Sequence, residues 1–273
     1  MATDGWTPAV RQHIGLGRLL PLGGPEDGAW ITERAAGGVL SRAASGVPGI
    51  RLGTVRIRLA DPEAAPEPSV PAPWTALPPG PLRIETEFSA PARQPLPVSA
   101  EQLRQALLAA AHERLGLVTA EVDLHVTDLL EDLTSVAEAE AERPAPVAAA
   151  DTGASHVAAS GPLPPSPGPV PLRKPAAELA EAAAAVVGVT RLAPVSGLPM
   201  PQTQRGAHPI RIRDSNDPPG RHVQIELATA ENHRALDVAL AVRTAVTAAA
   251  RADAPGPVTV AVLVTAVEPA GGP

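Results

Sequence analysis

Leu103-Arg104-Gln105-Ala106-Leu107-Leu108-Ala109-Ala110-Ala111, with the apolar run Val122, Leu124, Val126, Thr127 behind it, is the centre of a stretch, 82–127, most of which recurs further along the chain. Val242-Arg243-Thr244-Ala245-Val246-Thr247-Ala248-Ala249-Ala250 matches the first run, and Val260, Val262, Val264, Thr265 match the second, with the spacing between runs differing by one residue. Upstream, Leu82-Arg83-Ile84-Glu85 is answered by Val223-Gln224-Ile225-Glu226, and Val47-Pro48-Gly49-Ile50 by Val186-Val187-Gly188-Val189. Several matched segments in one order predict a duplicated unit.

The period of the pattern assigns the elements. Val55-Arg56-Ile57-Arg58-Leu59 alternates, as do Leu82, Ile84, Thr86 and Phe88 with Arg83, Glu85 and Glu87, so two strands are expected with charges on the outer face. Paired as a hairpin, they would set the arginine row against the glutamate row. Leu103, Ala106, Leu107, Ala110 and Ala111 mark the inward side of a helix, with Ser99-Ala100-Glu101-Gln102 as its capping box and Gly116 as its end. A strand over Val122–Val126 follows, at a distance suited to a parallel crossover. Before these, Ile31, Ala35, Val39 and Ala43 predict a helix from Ile31 to about Ser45, ended by Gly46, and the irregular apolar residues of 7–22 predict a short amphipathic helix laid on the first unit. The second unit repeats the order: a helix from Ala177 to Val187 with a turn at Gly188, strands over Ile210–Arg213 and Val223–Leu227, a helix with Leu236, Ala239, Val242, Ala245, Val246 and Ala249 inward, and a last strand over Val258–Val267.

The expected architecture is therefore α+β: two homologous α-β-β-α-β units joined by a Pro/Ala-rich linker. The boundaries are an N-terminal segment 1–29, a first unit 30–130, a flexible linker 131–175 and a second unit 176–268. Of the 34 Pro and 23 Gly, many fall in 61–81 and 144–175, both read as non-folding. The linker 144–174 is expected to lack regular structure and to be cut first by proteases.

Composition excludes several function classes. Formal charge is −7, which disfavours binding to nucleic acid phosphates, and no Cys is present, which removes disulfides, thiolate metal sites and cysteine nucleophiles. No apolar run of ~18 residues and no basic-then-apolar leader occur, so a cytoplasmic chain is expected. His222 and Glu226 share the outer side of one strand, with His233 close in sequence, yet no further ligand is placed by the pattern, and no metal is expected. His125, beside Asp123, reads as a surface histidine. No Gly-x-Ser-x-Gly elbow, phosphate loop or zinc helix is found, and no cofactor or catalytic residue is expected. Gly46-Val47-Pro48-Gly49 spells the Gly-x-x-Gly of K-homology domains, which share a helix-strand-strand-helix-strand order. A nucleic-acid-binding module is thus the alternative reading, although here the loop leads from a helix into a strand and is not basic.

The helix ending in Gly46-Val47-Pro48-Gly49-Ile50, the helix around Leu103-Arg104-Gln105-Ala106-Leu107 and the closing strand Glu121-Val122-Asp123-Leu124-His125-Val126-Thr127-Asp128 resemble the alkaline shock protein family, the Gls-type envelope stress response proteins of Gram-positive bacteria. The whole chain also resembles two-unit actinobacterial proteins grouped under a nucleopolyhedrovirus fibrous-body label, which implies no shared function. The resemblance implies a non-enzymatic interaction or scaffold protein in envelope stress or homeostasis. It would lie at the inner face of the cell membrane, held by a membrane-anchored partner or by homologous envelope-stress proteins, with homo-oligomers open. The expected partner surface is Arg56, Arg58, Glu85 and Glu87 in the first unit, with Arg211 and Arg213 as their counterparts in the second.

Overall fold

A computed structural model describes residues 18–130, 174–193 and 208–269. The strands are β1 (Leu19–Leu22), β2 (Ala29–Thr32), β3 (Arg51–Leu59), β4 (Leu82–Pro91), β5 (Thr119–Leu130), β6 (Val189–Leu192), β7 (Ile210–Asn216), β8 (Pro219–Ala230) and β9 (Val258–Glu268). The helices are α1 (Glu33–Ser45), α2 (Leu96–Ala109), α3 (Lys174–Ala184) and α4 (Ala235–Ala250), and α2 runs on as a π-helical turn over Ala110–Leu115. The protein is α+β. Two sheets form: β3-β4-β5, and a larger one ordered β1-β2-β9-β8-β6, with β7 also paired to β8.

Both parallel pairings arise where the alternating pattern predicts a strand, a helix and a second strand. Ile84 lies opposite Val122 and Phe88 opposite Val126, and the register then slips so that Ser89 faces Asp128. In the larger sheet Val223 lies opposite Val260 and Leu227 opposite Val264, with the slip at the same step, Ala228 facing Ala266. Each first strand is antiparallel to the second: β3 to β4, and β6 and β7 successively to β8. Inward residues of both sheets and all four helices join one apolar cluster, and α1 touches both β3 and β9. The cluster is built mostly of Ala, Val, Leu and Ile, with Phe88 its largest side chain.

Several expectations change. Leu19–Leu22 is a strand and not the end of a helix, because all four residues are buried, which a one-sided helix does not permit. The rest of that prediction, 7–17, lies outside the described residues. Ile31 lies in β2 instead of opening α1. Thr32 is the N-cap, its Oγ1 accepting the Ala35 amide at 3.2 Å. Ser99 caps nothing: α2 starts at Leu96 behind Pro95, and Pro97 in the first turn has no amide to satisfy, so Ser99 lies inside the helix, fully buried, its Oγ without a partner among the described residues. Lys174 and Pro175, counted with the linker, belong to α3; the remainder of that segment lies outside the described residues. On α4, Ala250 takes the buried position expected for Ala249, which is exposed.

The largest changes concern the N-terminal strands and the proline-rich loop. The hairpin β1–β2 does not stay with the first unit: Ala29, Trp30 and Ile31 pair in parallel with Val262, Leu263 and Val264 of β9, extending the second unit's sheet. Residues 60–81 lie over the outer side of that extension. Leu19 donates its amide to the Thr75 carbonyl (3.1 Å) and accepts the Leu77 amide (2.8 Å), and Val70 is buried with Leu19, Trp30, Ala261 and Leu263 in a separate small core. A segment without periodicity is held here by a sheet face that is apolar on both sides.

Candidate functional site

The outer face of β3-β4-β5 carries the predicted charges. Arg56 stands opposite Glu85 and Arg58 opposite Arg83. Arg58 Nε lies 3.5 Å from Glu85, and Arg83 bridges to β5, pairing with Glu121 and reaching Asp123 at 3.5 Å. Alternation produces the row: Ile57, Ile84, Thr86 and Phe88 are buried on the helix side, which leaves their neighbours outward. All these side chains are 31–54% exposed, so each pair contributes at most about 1 kcal/mol. Arg56 and Glu87 are exposed, Glu87 beside His125. At one end of the face is an open cleft of about 460 Å³, lined by Arg18, Arg58, Leu59, Leu77, Arg83 and Glu85 among others, with three guanidinium groups to one carboxylate.

The second unit does not reproduce this face. Arg211 pairs at 3.0 Å with Glu226, whose side chain is 2% exposed, so its charge is engaged by a buried carboxylate, unlike that of Arg58. Arg213 remains exposed. His222 contacts the Thr259 hydroxyl through Nδ1 at 3.0 Å. His233 sits beyond the far end of β8 beside Gly188. A strand rises roughly 3.3 Å per residue, which carries the two histidines far apart. Among the described residues no group of three or more His, Asp or Glu is arranged to hold a metal.

Burial first, and the Arg213 charge second, hold the His222 pKa below the ordinary imidazole value. The unfolded chain therefore binds a proton that the folded chain resists, so stability falls as pH drops through about 6.5 and is fully present above it. His222→Gln is expected to flatten the dependence of the urea midpoint on pH between about 7 and 5. An undiminished slope would show that His222 does not carry it.

Arg221 was not singled out by sequence reasoning. Its signal is a charge at i−2 from Val223 and i−4 from Ile225, in the inward register of β8. It is 7% exposed, and its guanidinium donates to both carboxylate oxygens of Asp214 (2.7 and 2.9 Å) and to Asp253. The arginine hydrogen bond holds the Asp214 carboxyl below its usual range, and the two carboxylates raise the Arg221 pKa. The group ties β7, β8 and the loop before β9 together. Every donor it has toward those elements is engaged in structure, which points to a clamp and not to a reacting group.

No protein-family model matches the chain, and no curated protein matches it. A solved structure of a doubly substituted MamM-CTD is similar over 36% of this chain and 94% of that chain, at 14% identity and a TM-score of 0.24, a likeness too low to carry a comparison.

Proposed function

We propose that this is a non-enzymatic interaction or scaffold protein of cell-envelope stress or homeostasis, held at the inner face of the membrane by a membrane-anchored partner. The observation that supports it best is the outer face of the first sheet. Helices fill one side of β3-β4-β5, and the other presents Arg56, Arg58, Glu85 and Glu87 to solvent with ion pairs that a partner's charges can replace at little cost. The proposed face belongs to the first unit, with Arg213 as the exposed counterpart in the second.

The two units are, in this reading, copies of one α-β-β-α-β unit. The matched runs occupy the same positions in β5 and β9, and both parallel pairings slip at the corresponding step, after Phe88 and after Leu227. A bulge at one shared position is a specific feature of a backbone.

Reversing Arg56 and Arg58 together to Glu is expected to reduce membrane co-fractionation severalfold while lowering stability by only about 1 kcal/mol, through loss of the Arg58–Glu85 pair and the new like-charge contacts with Glu85. A wild-type protein found wholly free of membranes in cells, or one that turns over a metabolite, would refute the proposal.

A further inference from the structure

We infer that the outer edge of β5 pairs with β5 of a second copy of this chain, antiparallel about a two-fold axis at Leu124, joining two three-stranded sheets into one of six strands. The three comparable edges differ in how they end. The edge of β3 is blunted by side chains: Arg18 donates to the Ile57 carbonyl at 3.1 Å, and Glu33 accepts the Ile57 amide at 3.2 Å. The edge of β9 is covered by β2, whose Ala29–Ile31 pair with Val262–Val264, and Val262 and Val264 are fully buried. β5 stands in the same register to β4 as β9 does to β8, but among the described residues β4 is its one strand neighbour. The positions equivalent to Val262 and Val264 are Leu124, half-buried, and Val126, 44% exposed, with Leu129 at 48% further along. A twelve-residue edge strand with an apolar row on one side is a surface built for pairing.

The strand's own pattern selects a second copy as the occupant. Centred on Leu124, an antiparallel pairing sets Leu124 against Leu124 and Val122 against Val126 on the apolar side. On the charged side it sets Asp123 against His125 twice, with Glu121 against Thr127, so a ring N–H of each histidine can donate to a carboxylate of the other copy. Neighbouring registers lack this match. Centring on Asp123 opposes two carboxylates at the axis, and centring on Val122 opposes Asp123 to Glu121 twice. Centring on His125 or Val126 sets Val122 or Leu124 against Asp128, which the register slip has turned to the outer side beside Ser89.

The chain has no cysteine, so a single introduced thiol reads the geometry directly. At the axis of an antiparallel pair the two Cα atoms lie roughly 4.5–5.5 Å apart, within disulfide reach. The full-length Leu124→Cys variant is expected to form a covalent dimer under mild oxidation, whereas Arg56→Cys, exposed on the other edge strand, remains uncrosslinked. Unmodified protein is expected at twice its 27.8 kDa by light scattering, with protection, lost on dilution, of those amides of 121–127 that point away from β4. Asp123→Lys is expected to weaken the dimer about tenfold, and adding His125→Asp to restore most of it. A monomer at all concentrations, a dimer that Leu124→Cys does not trap, or protection of the amides of 121–127 pointing away from β4 that dilution leaves unchanged, as when the chain's own residues cover the edge, would each overturn the inference. It stands apart from the membrane-partner reading: a monomer that still co-fractionates with membranes overturns only this inference, and a dimer free of membranes overturns only that one.

Discussion

Trp30→Ala is expected to destabilise the protein by about 3–5 kcal/mol, the range for removing a large aromatic ring from a core. Trp30 is 1% exposed and fills the small core between the β2–β9 extension and the proline-rich loop, against Leu19, Val70, Ala261 and Leu263. Few other large side chains are present there, so the cavity cannot be closed by a neighbour moving in. The loss should be local before it is global: the amide of Val262, which donates to the Gly28 carbonyl at 3.0 Å, is expected to exchange faster while amides of β4 keep their protection. Trp30→Phe separates packing from polarity. The indole Nε1 is buried with no acceptor among the described residues, so its removal relieves a desolvation penalty of about 1–3 kcal/mol that offsets the smaller ring. Chemical denaturation of the three proteins checks the order. A Trp30→Ala protein as stable as wild type would show that the loop and hairpin do not enclose this side chain.

Gly116→Ala is expected to cost about 3 kcal/mol for a single methyl group. Gly116 ends the π-helical turn at φ +86°, a conformation that costs a residue with a Cβ about 1–2 kcal/mol. A Cβ there would collide with the Leu236 Cβ of α4, so overpacking adds about 1–3 kcal/mol. The carbonyl of Gly116 also accepts the Gly23 amide at 3.0 Å, which places this residue where the first unit, the N-terminal hairpin and α4 meet. Gly37→Ala, in the middle of α1 with nothing within 4 Å of the new methyl, is the control and is expected to stabilise by roughly 0.5–1 kcal/mol through helix propensity. Equal stability of the two variants in urea would refute the left-handed cap and its contact with Leu236.

Local pattern reaches strands and the faces they present. Alternation placed β3, β4, β7 and β8 and turned Arg56, Arg58, Glu85 and Glu87 outward, because a period of two maps residues to faces without reference to anything distant. The helix faces of α2 and α4 followed from apolar spacing, with Leu103, Leu107, Val242 and Val246 all buried. Capping was less legible. Ser99 had the right neighbours for a box, but Pro95 and Pro97 had already started the helix one turn earlier.

By itself, then, the amino-acid order determined the class and the charged side of the first sheet, since these rest on period and on residues near one another in the chain; the strands Leu19–Leu22, Ala29–Thr32 and Val189–Leu192 were not legible in it. Tertiary structure decided the rest. Nothing in Ala29–Ile31 shows that it will pair with Val262–Val264, more than 230 residues later, and nothing in the composition of 60–81 shows that a segment so rich in proline will be ordered against Trp30. Equally, Arg211 and Arg58 look alike in their strands. One neutralises a buried carboxylate while the other meets a half-exposed one at the solvent. Burial depends on which surfaces meet, and that choice is made by the free energy of the whole apolar cluster, which no window of sequence contains.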